Sequence, residues 1–255
     1  MGFKLFRGMA KPPVFQQPGG VWRWLPSRCA VCRNWPQAPL CEDCISHFAQ
    51  PLARCSTCAL PLHATTSAPA STTGRRCGAC LKSPPPLDLC LSATAYAWPW
   101  VDLIAQLKFH GQPGWARSLG SLMLNAPWVE DTLAQADCVL PIPLSAERLA
   151  ERGYNQSLLL ARQLSAAKTQ AELLLRTRHT PAQRTLPRAE RLANLTGAFA
   201  VDPLRMAQVR GQRVVLVDDV MTSGASLHTA ALALREAGAR HISAVVLART
   251  EADTE

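Results

Sequence analysis

At 255 residues, with 48% hydrophobic and 18% charged side chains, the chain has room for one core-bearing domain of about 165 residues and a small extra module. No apolar run approaches the ~20 residues of a membrane span, so a transmembrane helix is excluded from the reading. The formal charge of +9 is uneven: residues 1–80 hold nine Lys/Arg against two acids and residues 147–191 nine against four, a bias that suits a polyphosphate ligand or nucleic acid.

In chain order, residues 1–24 read as a disordered tail. Pro12, Pro13, Pro18 and Gly19-Gly20 break any apolar run, and no signal-peptide core is present. Residues 25–83 carry four pairs of one spacing, Cys29-x-x-Cys32, Cys41-x-x-Cys44, Cys55-x-x-Cys58 and Cys77-x-x-Cys80. Each pair is a knuckle that offers two thiolates to one metal, and two knuckles close a tetrahedral structural zinc site with no open position for chemistry. Disulfides would need an oxidising compartment, and redox Cys-x-x-Cys chemistry needs one pair, not four; the expectation is two structural zinc ions in a cytoplasmic protein. Sequential pairing gives a double zinc ribbon in tandem, while an interleaved cross-brace has the same spacing and stays open. The segment is poor in aliphatic side chains, so metal would supply its folding energy. Eight thiolates on two zinc ions also add negative charge, which leaves the surviving basic character around Arg148 to Arg191. His47 and His63 are not needed as ligands, and Cys90 and Cys138 read as buried apolar residues.

Residues 65–74 form a Ser/Thr-rich insertion and Ser83 to Leu87 a proline-stiffened linker, which opens a second domain over 84–255. There Ser92 to Trp98 reads as a strand, Val101 to Phe109 as a helix, Cys138 to Ile142 as a strand, and Ser157 to Ala166 as a helix. Helical spacing places Val101, Ile104, Ala105 and Lys108 on one face. Arg176 to Phe199, with Gln183, Arg184, Arg188 and Arg191, shows little sheet character and reads as a long basic lid.

Val214 to Val217 is an uninterrupted apolar run of the kind that fills a parallel sheet, and it ends in Asp218-Asp219. The loop Thr222-Ser223-Gly224-Ala225-Ser226 then opens a helix, Leu227 to Ala237, closed by Gly238, and His241 to Leu247 supplies the next strand. This is a crossover unit whose ligand site belongs at the carboxyl end of its first strand. Amides and hydroxyls of Thr222 to Ser226 at a helix N-terminus suit one phosphate, and the neighbouring acids need neutral donors such as vicinal sugar hydroxyls. A ribose 5-phosphate satisfies both. No G-x-x-x-x-G-K-[ST] or G-x-G-x-x-G string occurs, so triphosphate and dinucleotide loops are unsupported.

The string Val214 to Ser226 resembles the signature of type I phosphoribosyltransferases, which bind 5-phosphoribosyl 1-diphosphate (PRPP). That resemblance implies an α/β fold with a parallel sheet flanked by helices. It gives Asp218 and Asp219 the ribose hydroxyls and Thr222 to Ser226 the 5-phosphate, with magnesium held by PRPP itself. Thr222 stands where purine-acting members often carry an acid, which argues against purine salvage. A second anion site for the diphosphate is expected at Pro141 to Ser145 with Arg152, and Arg184 and Arg188 of the lid would meet the departing diphosphate.

The knuckles after Leu25-Pro26-Ser27-Arg28, Leu107-Lys108-Phe109, Arg152-Gly153-Tyr154-Asn155-Gln156, Gln183 to Phe199 and Val214 to Ser226 resemble, in order and spacing, the ComF/GntX family. The resemblance covers residues 25–250 and implies an association with competence for DNA uptake and natural transformation. It leaves the acceptor and the oligomeric state open. Two readings compete: a transferase that releases diphosphate, and a non-catalytic PRPP sensor or single-stranded-DNA-binding protein that works with competence proteins. In the second, Arg33, Arg54, Trp22, Trp24 and Trp35 would meet the strand by charge and stacking, although the tryptophans could equally pack around metal.

Overall fold

The computed structural model describes residues 27–62, 74–177 and 197–251. The expected tail, most of the insertion at 65–74 and the segment holding Arg184, Arg188 and Arg191 lie outside those residues. The elements in chain order are α1 (Glu42–Phe48), α2 (Gly78–Lys82), β1 (Leu89–Ala95), α3 (Trp100–Phe109), α4 (Trp115–Leu124), α5 (Val129–Gln135), β2 (Cys138–Pro141), α6 (Ala146–Arg152) and α7 (Gln156–Ser165). Then follow β3 (Leu174–Arg176), β4 (Phe199–Val201), a 3-10 turn (Pro203–Gln208), β5 (Arg213–Met221), α8 (Ala225–Glu236) and β6 (His241–Arg249).

Four strands form one parallel sheet in the order β1-β6-β5-β2. Its middle is the apolar run: Val214, Leu216, Ile242, Ala244 and Val246 face one side, and Val215, Val217, Val245 and Leu247 the other. A strand buried on both faces needs this unbroken apolar character, and burial of each Val or Leu is worth about 1.5–3 kcal/mol. The first face is covered by Leu227, Ala230, Ala231 and Leu234 of α8, by the β3-β4 hairpin and by the second group of cysteines, with Cys55, Cys58 and Cys80 inside that core. The other face is covered by α3, α4, α5 and α7, against which Ala30, Val31 and Phe48 of the first cysteine segment pack. Phe48 stands edge-on to Trp98 at 4.9 Å, and its carbonyl accepts from Trp100 Nε1 at 3.0 Å.

The α/β class and the layered parallel sheet are as expected. The first strand lies three residues earlier than Ser92 to Trp98, because pairing of Leu89 with Ser243 starts the ladder directly after the proline-rich linker. Helices α4, α5 and α6 fall in a stretch where spacing alone gave no assignment. Short arms β3 and β4 bound the segment read as a lid, and β4 lies on α8.

Candidate functional site

Strands β2 and β5 are neighbours, with Pro141 in register with Val217, yet their connections leave to opposite faces of the sheet. The chain after β2 runs to α7 on one face, and the chain after β5 runs to α8 on the other. The crevice between their carboxyl ends is therefore a topological switch point, the usual place for a ligand in such a sheet.

Asp218 and Asp219 sit at this crevice but in different surroundings. Asp218 is half-buried; its Oδ1 accepts from Ser157 Oγ at 2.8 Å and from the Asp219 amide at 2.9 Å. Burial, then the neighbouring Asp219 charge, push its carboxyl from 3.8 up to about 7, against the opposing pull of Lys108 and Ser157. Asp219 is 3% exposed, and its Oδ1 pairs with Lys108 Nζ at 2.9 Å while its Oδ2 is buried with no hydrogen-bond partner among the described residues. A buried carboxylate oxygen without a donor keeps its charge at a cost, which Lys108 on the other oxygen offsets.

The loop over Thr222 to Ser226 wraps the start of α8. Thr222 is exposed, Ser223 and Ser226 are half-buried, and Gly224 and Ala225 are buried. Gly224 takes φ +81° as the residue preceding the helix, and a Cβ there would sit 2.5 Å from Met221 Cε and 2.9 Å from the His228 ring. Glycine is thus required both by backbone hand and by space. Ser223 Oγ accepts from the Ala225 amide at 3.4 Å, and α8 at 12 residues is long enough for its first amides and dipole to favour an anion. Arg249 tightens the loop from behind, with Nη1 donating to the carbonyls of Met221 at 3.0 Å and Thr222 at 2.5 Å.

On the β2 side, Pro141 closes its strand, and the Ile142 amide donates to the Val217 carbonyl at 2.9 Å, so the Pro141 to Ser145 loop flanks Asp218. Asn155 ties this loop to α7: its Nδ2 donates to the Ile142 carbonyl at 3.0 Å while its Oδ1 accepts from the amides of Ser157 and Leu158. Arg152 donates to Gln156 Oε1 at 3.0 Å and lies over the Phe109 ring at 5.1 Å. Tyr154 Oη reaches the Leu107 carbonyl at 2.6 Å. Two sequence patches 43 residues apart, Leu107-Lys108-Phe109 and Arg152 to Gln156, are therefore one structure beside the two acids. Arg176, at the base of the hairpin, feels both Arg148 and Asp218, and burial pushes its guanidinium down.

Spacing alone did not assign Lys108, Ser157, Arg176 or Arg249 to the site. Lys108 carried a signal, a cation at the apolar spacing of a helix. Arg54, expected as a nucleic-acid contact, is corrected: it is 7% exposed and donates to the Ala59 carbonyl, so it faces the core. Arg33 and Trp35 are exposed, and Trp22 and Trp24 lie outside the described residues.

The cysteines gather as two groups, Cys29, Cys32, Cys41, Cys44 and Cys55, Cys58, Cys77, Cys80, with the four sulfurs of each within 4.8 Å of one another. Sequential pairing is thus the arrangement found, and the two zinc-ribbon-like sites follow. In the second group, Cys58 and Thr57 pull the Cys55 thiol down to about 3, and that same contact with Cys55 pushes the Cys58 thiol up. Four sulfurs this close accept full ionisation only around a cation, so the donor set fits a tetrathiolate metal.

Residues 150–255 match the phosphoribosyl transferase domain family. DNA utilization protein YhgH of Escherichia coli K12 is 32% identical over 238 residues, 89% of this chain and 98% of that protein. Competence protein F of Haemophilus influenzae is 34% identical over 183 residues, 69% of this chain and 79% of that protein. Competence protein ComFC of Bacillus subtilis is 34% identical over 113 residues, 44% of each. The chain belongs to the ComF family of phosphoribosyltransferase-like proteins. Among the described residues, no helix is long and apolar enough to cross a membrane.

Proposed function

We propose that this protein binds PRPP with magnesium at the crevice between β2 and β5 and transfers the 5-phosphoribosyl group to an acceptor, with release of diphosphate, in the service of DNA uptake or use. The observation that carries this reading is the crevice itself: the half-buried Asp218, with Asp219 behind it, beside a glycine-tightened loop at the start of α8. The loop residues Thr222 to Ser226 would hold the 5-phosphate, the two acids the ribose hydroxyls, and the Pro141 to Ser145 loop with Arg152 the diphosphate. Magnesium bound to PRPP would neutralise the leaving group. Catalysis would rest on that charge stabilisation, aided by Arg184 and Arg188, and no side chain need act as nucleophile. In both cysteine groups zinc would be structural. Association with competence comes from the names of the relatives.

The test is calorimetric titration of PRPP and magnesium into wild type and into Asp218→Asn/Asp219→Asn, followed by diphosphate release with a panel of bases and amines. Binding lost in the double variant supports the site, and unchanged binding removes it. Binding without diphosphate release for any acceptor turns the reading to a PRPP sensor. Direct contact with single strands would show as affinity that falls with salt, with a slope of roughly −0.7 per phosphate contact.

A further inference from the structure

Arg249 ends β6 in register with Met221 and is 4% exposed. Its guanidinium spans two parts of the molecule. Nε donates to the carbonyl of Cys58 at 2.8 Å, in the second cysteine group, and Nη1 donates to Met221 and Thr222, where the phosphate loop leaves β5. Further links join the same two parts: Cys90 donates its amide to Ser56 at 2.7 Å and its Sγ to Met221 Sδ at 3.5 Å. Arg54 donates to Ala59 O at 2.9 Å, so two buried guanidinium groups end on one knuckle. A divalent ion in four thiolates leaves net negative charge, which two such cations would balance in a dry core. Among the described residues the first cysteine group has no comparable route: it packs through Val31 and Phe48 on the α3 side, across the sheet from α8.

We propose that Arg249 is a positioning residue that sets the Thr222 to Ser226 loop from the second tetracysteine site, so that metal in that site, and not in the first, controls affinity for a sugar phosphate. The knuckle Cys55 to Cys58 keeps its shape only while its thiolates share an ion. Loss of the ion releases the Cys58 carbonyl, Arg249 loses its rear anchor, and the carbonyls of Met221 and Thr222 lose a fixed donor. The loop then samples orientations in which its amides no longer converge. Lysine at 249 keeps the charge but offers a single terminal nitrogen, which cannot reach both sides at once.

The assignment of phosphate to this loop rests on the function proposed above; the mechanical link does not, and the experiment separates them. Amide hydrogen exchange over residues 221–226 is measured in wild type, Arg249→Lys, Cys77→Ser and Cys32→Ser, each checked for metal content, together with ribose 5-phosphate titration. The expected result is at least tenfold faster loop exchange in Arg249→Lys and Cys77→Ser but not in Cys32→Ser, with residues 214–217 unchanged and an Arg249→Lys/Cys77→Ser double variant no worse than either single one. Ribose 5-phosphate affinity should fall about tenfold in the same two variants. If Cys77→Ser does not fold, Arg249→Lys alone decides. Loop exchange within twofold of wild type in Arg249→Lys, or equal effects from Cys32→Ser and Cys77→Ser, would overturn the link. A wild type that ignores ribose 5-phosphate but shows the exchange pattern would fault the ligand and keep the link.

Discussion

Lys108 Nζ lies 2.9 Å from Asp219 Oδ1, and the two side chains are only 17% and 4% exposed. A pair this far from water costs more to break than to replace, because removal of one partner strands the other charge.

Lys108→Ala should therefore destabilise the protein by about 3 kcal/mol, and Lys108→Ala/Asp219→Asn by less than the single variant, since the neutral amide no longer needs a counter-ion. Denaturant unfolding of the three proteins measures this. Greater loss in the double variant would show that Lys108 matters for packing and not for charge.

Asp218 gives the site a pH signature. Its carboxyl is pushed up to about 7, first by burial and then by Asp219. Between about pH 4 and pH 7 the folded state keeps a proton that the unfolded chain has released, so stability from this group falls as pH rises through that window. Asp218→Asn removes the penalty. The variant should out-melt wild type by a margin that grows from pH 5 to pH 8. An equal margin at both pH values would mean that the carboxyl titrates normally.

The metal prediction is two equivalents of zinc per chain, because the cysteines form two separate groups. Cys32→Ser, at the exposed member of the first group, should retain about one equivalent. Metal analysis of protein purified without added zinc checks both. Less than one equivalent with disulfides present would reverse the reading.

Most of this was legible along the chain. The apolar run Val214 to Val217 and Gly224 marked strand and helix start together, and put the paired acids at the strand's end, because a buried parallel strand and a glycine at positive φ each demand a narrow set of residues. The cysteine spacing likewise marked four knuckles, but not that the second site would be part of the main core, since contact between Cys58 and Arg249 joins residues 191 positions apart. Arg54 looked like surface charge for the same reason: a single basic residue carries no sign of where its chain neighbours pack. Helices α4 and α5 went unseen because Gly120 and several polar residues interrupt their pattern. Gly120 is in fact where α4 meets α7, with its would-be Cβ 2.4 Å from Gln163 Cβ.

The Thr222 to Ser226 loop offers the sharpest single substitution. Gly224 holds φ +81°, which costs a residue with a Cβ about 1–2 kcal/mol, and the new carbon would also meet Met221 Cε and the His228 ring. Methionine can swing its terminal methyl aside, but His228 is 8% exposed within the first turn of α8 and has little room to yield. Relief must therefore come from the backbone of Thr222 to Ala225, which is the part that would present amides to a phosphate under the proposed function. Gly224→Ala should lower stability by about 2 kcal/mol and weaken ribose 5-phosphate or PRPP binding by at least tenfold. Thr222→Ala, at an exposed side chain just outside the strained position, should leave stability within ~0.5 kcal/mol of wild type. Paired thermal melts and titrations decide the matter: Gly224→Ala that binds as wild type would show that the loop's fold is not what presents the phosphate site.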